Sequence, residues 1–225
     1  MDVEVLKNIP LFSELSDKDL KKISQVASKQ HYHKDNLILI EEEVGSTMFV
    51  ILSGRVKISR ISDDGREVIL SILSDGDFFG EMSLLDGHTR SANVTAIENS
   101  ELLVIRREEF LQMLQDYPQI AINLLKELAQ RIRKSDEQIK SLSLQDATGR
   151  VASTLLRIAE DSGVFRKGQV EIMELPLQQD LANMAGTSRE TISRVIKSLC
   201  MQGYLKKESG RIIILDYEKF KSIFS

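Results

Sequence analysis

The chain has 225 residues, of which 42% are hydrophobic and 28% charged, and it carries a formal net charge of −4. That length holds one large domain or two modest ones, and the balance is that of a folded globular protein, which excludes a disordered chain. No stretch approaches the roughly 20 apolar residues of a membrane span, MDVEVLKNIPLF lacks the pattern of a signal peptide, and one cysteine, Cys200, excludes a disulfide framework or a four-cysteine metal or iron–sulfur site. The expectation is a cytoplasmic protein, with Cys200 a small buried thiol near a helix end.

Residues 1–34 predict short helices, with Leu15, Leu20, Ile23 and Val26 on one face and Ser16 as an N-cap. Residues 35–107 change to short β-rich runs at Leu37–Ile40, Met48–Leu52, Val56–Ile61, Glu67–Leu73, Asn93–Ala96 and Glu101–Ile105. Turn signals separate them at Gly45, Ser53-Gly54, Asp63-Asp64-Gly65, Asp75-Gly76-Asp77 and Glu98-Asn99. Many short strands at this spacing predict an antiparallel barrel or sandwich, not a parallel α/β sheet.

Within this region lies GDFFGEMSLLDGHTRSANVTA, Gly76–Ala96. Gly80 permits close backbone approach, and Glu81 to Leu85 predict a short helix whose free N–H groups suit an anion. Arg90 and Ser91 can add a charge and a hydroxyl to the same anion, with Glu81 placed to accept from a sugar hydroxyl. A strand–turn–strand with solvated charges fits these residues equally well.

A long helix begins near Pro118, a residue suited to the first turn. With Leu125, Ile132 and Ile139 as heptad a positions, the d positions are Ala121, Leu128, Ser135 and Leu142. This pattern predicts a dimerising seam with one polar residue, Ser135. A helix packed on its own domain is the other arrangement it fits. The pattern breaks at residues 144–149, where Asp146 is an N-cap for a helix over about Ala147–Glu160 and marks the hinge and domain boundary. Charge changes sign there: residues 1–146 hold 18 Lys+Arg against 25 Asp+Glu, and residues 147–225 hold 12 against 9. A basic rear half suits contact with phosphates.

Residues 161–169 predict a polar loop and Glu171–Leu175 a strand. Gln178–Leu199 then carries the most specific signal. Two helices meeting at a tight turn need a small residue at their crossing, a residue tolerant of positive φ, and an apolar interior. Ala182, Gly186 and Ile192 meet those needs, with Leu181, Val195 and Ile196 inside and Thr187 or Ser188 capping the second helix. That helix puts Ile192, Val195, Ile196 and Leu199 on one side and Arg189, Glu190, Ser193, Arg194 and Lys197 on the other. Arginine bonds bidentately to guanine and glutamate accepts from cytosine, so the outer face has the chemistry of base edges in double-stranded DNA. Tyr204–Glu208, Ser209-Gly210 and Arg211–Leu215 predict a hairpin, the wing.

Catalysis is not expected. His31, His33 and His88 are the only histidines, none in a zinc-ligand spacing, and no Walker loop, dinucleotide fingerprint or nucleophile elbow occurs. His31 and His33 alternate on a predicted strand and suit a solvated face.

The order of these parts is similar to that of the CRP/FNR family of bacterial regulators over nearly the whole chain, and closest to the cAMP receptor protein branch. Phe79-Gly80-Glu81 through Arg90-Ser91 resembles the family's phosphate-binding cassette, Asp146 to Arg150 its hinge, and Ser188-Arg189-Glu190-Thr191 with Arg194 its recognition helix. The resemblance implies an α+β chain: a cyclic-nucleotide-binding-type β-roll over 1–117, a dimerisation helix and hinge over 118–145, and a winged helix-turn-helix over 146–225. It implies a homodimeric transcription regulator gated by cAMP, with Gly80, Glu81, Met82, Ser83, Arg90 and Ser91 at the nucleotide and no metal. It places Ser135 and Asp136 where two small hydroxyl residues contact adenine, and Asp136 departs from that pattern. A second departure is Glu42, where the family has a turn glycine. The resemblance also implies palindromic operators with TGTGA-like half-sites read by Ser188, Arg189, Glu190, Ser193, Arg194 and Lys197, and contact with RNA polymerase. The same fold acting without ligand, or sensing a cyclic di-nucleotide or haem, is the alternative.

Overall fold

A computed structural model describes residues 3–208 and 210–225. The chain divides into two compact units, one ending at Ile132 and the other beginning at Arg133.

The first unit opens with α1 (Val3–Lys7), a 3₁₀ turn at Pro10–Phe12 and α2 (Asp17–Val26). Ser16 caps α2 by accepting from the Asp19 amide at 3.3 Å. Leu20 and Ile23 are buried as expected, whereas Val26, in the last turn, is exposed. Eight strands follow: β1 (Ser28–Tyr32), β2 (Leu37–Leu39), β3 (Thr47–Ser53), β4 (Val56–Ile61), β5 (Glu67–Leu73), β6 (Phe78–Phe79), β7 (Asn93–Ala96) and β8 (Ser100–Arg106), with α3 (Met82–Asp86) between β6 and β7. They form two antiparallel four-stranded sheets, ordered β1-β8-β3-β6 and β2-β7-β4-β5.

Strands β3 and β8 are buried on both faces, which explains their continuous apolar runs. Met48, Val50, Leu103 and Ile105 face a core shared with the helices, including Leu6, Phe12, Phe110 and Leu124. Phe49, Ile51, Leu102 and Val104 face the other way, into a second core with Val56, Phe79 and Val94. In that second core Phe49 and Phe79 stack at 5.0 Å.

Strand β6 escapes the sequence pattern, whereas β1 is the strand expected at His31, ending one residue short of His33. SKQHY lacks an apolar face because β1 is an edge strand whose residues are mostly exposed, so its pairing with β8 sets its conformation. His31 and His33 are exposed, as a solvated face requires.

Glu42, in the loop after β2, adopts φ 69°, so the glycine-like backbone persists without glycine. Its amide donates to the Arg90 carbonyl at 2.9 Å, and the Arg90 amide donates to Glu43 at 2.8 Å. A left-handed L-residue costs about 1–2 kcal/mol, partly offset by the extra chain entropy of glycine. Glu42→Gly is therefore expected to stabilise the protein by up to about 1 kcal/mol. A thermal melt unchanged or lowered by the substitution contradicts this.

The sheets lead into α4 (Arg107–Asp116) and α5 (Pro118–Leu144). In the first turns of α5, Ile120, Asn123 and Leu124 turn inward. Leu128 is half-buried against the same core, so this d position serves its own domain and departs from a purely intersubunit seam. Leu125, Ile132, Ile139 and Leu142 are 65%, 62%, 61% and 52% exposed, an unpaired apolar stripe on a helix that is otherwise charged.

The second unit contains α6 (Ala147–Ser162), β9 (Val164–Arg166), β10 (Gln169–Ile172), α7 (Gln178–Ala185), α8 (Arg189–Met201), β11 (Leu205–Glu208), β12 (Arg211–Ile214) and α9 (Tyr217–Phe224). Two expectations need correction. Residues 161–169 are not simply a loop, since β9 lies within them, and the strand predicted at Glu171–Leu175 is β10, starting at Gln169. Lys167 and Gly168 both have positive φ and close the β9–β10 hairpin. Its sheet runs β11-β12-β10-β9 and packs on α6, α7 and α8 through Leu155, Ile172, Leu181, Ile192, Leu199 and Ile214. Cys200 is half-buried against this core. The wing is the β11–β12 hairpin, with Ser209 outside the described residues.

Candidate functional site

The cassette begins at β6, where the chain leaves the sheet. Gly80 has φ 80°, and a Cβ there would stand 2.9 Å from Arg90 Nη1 and 3.1 Å from the Thr47 carbonyl oxygen. Gly45 has the same duty from the other side: a Cβ would lie 2.2 Å from Ser83 Oγ and 2.7 Å from the Arg90 guanidinium carbon. Both glycines clear space for one arginine.

Arg90 is only 6% exposed. Its Nη1 donates to the Gly80 carbonyl at 2.7 Å and to Ser83 Oγ at 2.9 Å, and its Nη2 donates to the Thr47 carbonyl at 2.7 Å. Burial lowers its pKa from the ordinary arginine value, opposed by Glu81 and Glu43. The guanidinium thus holds neutral oxygens, and exchanging some of them for a phosphate would add an opposite charge and a bidentate acceptor.

Glu81 is 2% exposed and pairs with Arg131 of α5 at 3.1 Å. The Arg131 guanidinium also lies 4.5 Å from the Phe78 ring centre, so an α5 residue closes over the cassette. Burial raises the Glu81 pKa above the ordinary glutamate value, with Arg131 opposing. A carboxyl whose folded pKa is raised contributes stability fully present below its unfolded pKa and lost as pH rises through the folded one. Glu81→Gln is expected to remove this contribution and flatten the pH dependence of the melting temperature above the ordinary glutamate range. An unaltered pH profile contradicts that.

The remaining cassette residues spread outward. Ser83 is buried, Met82 and Ser91 are exposed, and the Ser91 hydroxyl lies 3.7 Å from Met82 Sδ. The α3 helix spans only five residues. Ser135 and Asp136 are both exposed on the second unit's part of α5.

Sequence reasoning missed Thr47 and Arg131. Thr47 lies 43 residues from Arg90 and meets it only through the sheet. Arg131 stands in a charged helix with nothing local to single it out. Pairing it with the buried Glu81 requires the fold.

The second cluster lies on α8. Gly186 ends α7 at φ 58°, and Ser188 caps α8 by accepting from the Thr191 amide at 3.2 Å. Arg189, Glu190, Ser193, Arg194 and Lys197 are exposed and line one open depression together with Gln178 from the start of α7. Gln178 is the residue the sequence reading left out, although its place at the N-terminus of the first helix was a usable signal. At the helix junction Asp146 accepts from the Gly149 amide at 2.8 Å. Arg150 then donates to the Gln145 and Ala185 carbonyls at 3.1 and 3.0 Å, tying the start of α6 to the turn of the motif.

Known protein families match the two regions that hold these clusters. The cyclic nucleotide-binding domain family matches residues 29–117, and the Crp-like helix-turn-helix domain family matches residues 149–223. The cyclic AMP receptor protein of Thermus thermophilus is 34% identical over 92% of this chain and 93% of its own length. The crystal structure of the Thermus thermophilus catabolite activator protein is 32% identical, covers 95% of this chain and 97% of that one, and superposes with a TM-score of 0.55. A CooA variant from Carboxydothermus hydrogenoformans, at 24% identity, shares the fold with a TM-score of 0.79 over 91% of this chain and 90% of that one. A cassette-bearing β-roll followed by a Crp-like helix-turn-helix, matched along nearly the whole length, makes this chain a member of the CRP/FNR family of DNA-binding transcription regulators.

Proposed function

We propose that the protein is a homodimeric regulator gated by cAMP that reads a palindromic operator with TGTGA-like half-sites. In this reading residues 1–117 hold the effector, 118–145 dimerise, and 146–225 bind DNA. The observation that carries it is the convergence of buried Arg90 and Glu81 in one cassette, a cation for the cyclic phosphate and a carboxylate for the ribose hydroxyl. The 34% identical relative and several regulators at 32–33% identity are named as cAMP receptor or cAMP-activated proteins, which supports the choice of nucleotide.

Ligand affinity must differ between two arrangements of the dimer for gating to occur. Asp146 is the hinge in this reading, and Ser135 and Asp136 meet the nucleobase. The two recognition helices then meet half-sites roughly 34–36 Å apart. The protein acts in the cytoplasm and contacts RNA polymerase. A second reading, regulation without a ligand, is favoured by one observation: the Arg90 guanidinium is already hydrogen-bonded to protein oxygens.

Calorimetric titration with cAMP, beside cGMP, separates the two. Saturable micromolar binding of cAMP supports gating, and no heat with either nucleotide supports the second reading. On the DNA side, Arg189→Ala is expected to cost about 1–3 kcal/mol and relax preference at one base pair. Uniform weakening across all operator variants would reassign Arg189 to a phosphate contact.

A further inference from the structure

The second unit contains a cleft that neither the cassette nor the recognition helix uses. It has a volume of about 290 Å³ and lies among the last turns of α5, the inner side of α6, the end of α7 and α9. Leu156 and Met184 supply apolar wall beside Leu142 of the seam stripe, and five cationic side chains line it against two carboxylates, Glu137 and Glu160.

Most of those charges are already matched. Lys134 pairs with Asp161 at 2.7 Å, and Lys221 pairs with Glu160 at 2.6 Å. Arg150 is held by backbone carbonyls. Arg157 differs: among the described residues its guanidinium makes no hydrogen bond or ion pair, and Asp161 and Glu137 act on it only through space. The side chain is half-buried, and burial lowers its pKa from the ordinary arginine value. An arginine fork without a bonded acceptor, in a cleft that also has an apolar wall, suits an oxyanion carrying a hydrocarbon body.

We propose that this cleft is a second ligand site, binding a small organic oxyanion whose head pairs with Arg157 and whose apolar body rests on Leu156 and Met184. It is separate from the cassette, and its ligand requires neither Arg90 nor Glu81.

The two sites each carry a methionine reporter, Met184 in the cleft and the exposed Met82 in the cassette. The full chain, labelled at its methionine methyl groups, is titrated with phenyl phosphate and, in parallel, with inorganic phosphate. A saturable shift of the Met184 methyl is expected, stronger with phenyl phosphate and retained in Arg90→Ala. Arg157→Gln is expected to weaken it about 10–100-fold, as for loss of charge-assisted hydrogen bonds. Lys140→Glu changes an exposed position, so it tests the same charge without touching the core and should weaken binding severalfold. A Met82 shift alone assigns the anion to the cassette and overturns the proposal. So does a Met184 shift unaltered by both substitutions, or a cleft closed to the probe by a partner subunit, seen as no shift of Met184.

Discussion

Arg90→Ala is expected to reduce cAMP affinity at least about 100-fold, since it removes two or more charge-assisted hydrogen bonds worth about 1.5–3 kcal/mol each. The loss has two origins. The fork that would grip the cyclic phosphate disappears, and the Gly80 and Thr47 carbonyls that Arg90 now engages lose their donor. The second effect also lowers stability, by about 1–3 kcal/mol for groups left unsatisfied. A melt of the variant must therefore accompany the titration, performed where the variant is fully folded. Arg90→Lys separates the terms further, because lysine keeps the charge without the planar fork and should fall between the two. If Arg90→Ala folds and binds cAMP as well as the parent, the phosphate lies elsewhere and the cassette assignment fails.

Replacing Ile132 and Ile139 together by aspartate is expected to convert the protein to monomers and lower operator affinity by about 10²–10⁴, the gain that linking two half-site contacts provides. The argument rests on exposure. Both side chains are more than 60% exposed within one chain, so aspartate there removes little from the fold of a single subunit. In a paired seam the same carboxylates would face apolar side chains across the interface and lose their hydration, at a cost of several kcal/mol. Sedimentation should show the monomer, with a melt still cooperative. A dimer that survives the double substitution would place the interface off this stripe, and monomers with full operator affinity would refute recognition of a palindrome by paired helices. Leu128 is the poorer test, because its half-burial against its own core confuses folding with assembly.

The sequence by itself determined several elements whose signal is local. Ser16, Asp146 and Ser188 cap the helices they precede, because capping is settled within three residues. Gly186 marks the turn of the helix-turn-helix, and the 3.6-residue period separates Arg189, Glu190, Ser193, Arg194 and Lys197 from the buried face of α8. Strands β4, β5 and β7 keep the bounds their runs predict, since turn residues flank them.

Only the tertiary structure decided what depends on partners far along the chain. The two-residue strand β6 has no run to announce it and forms by pairing with β3, and β9 lies in a polar segment whose register comes from β10. The period of α5 cannot tell a position facing another subunit from one facing the same domain, and Leu128 falls to the second while Leu125 and Ile132 stay exposed. Thr47 and Arg131 join Arg90 and Glu81 because the sheet and α5 bring them there, at separations of 43 and 50 residues. Caps, turns and periodic faces are fixed by interactions within a few residues. Burial of an arginine, and the carbonyls that make it tolerable, are properties of the assembled core.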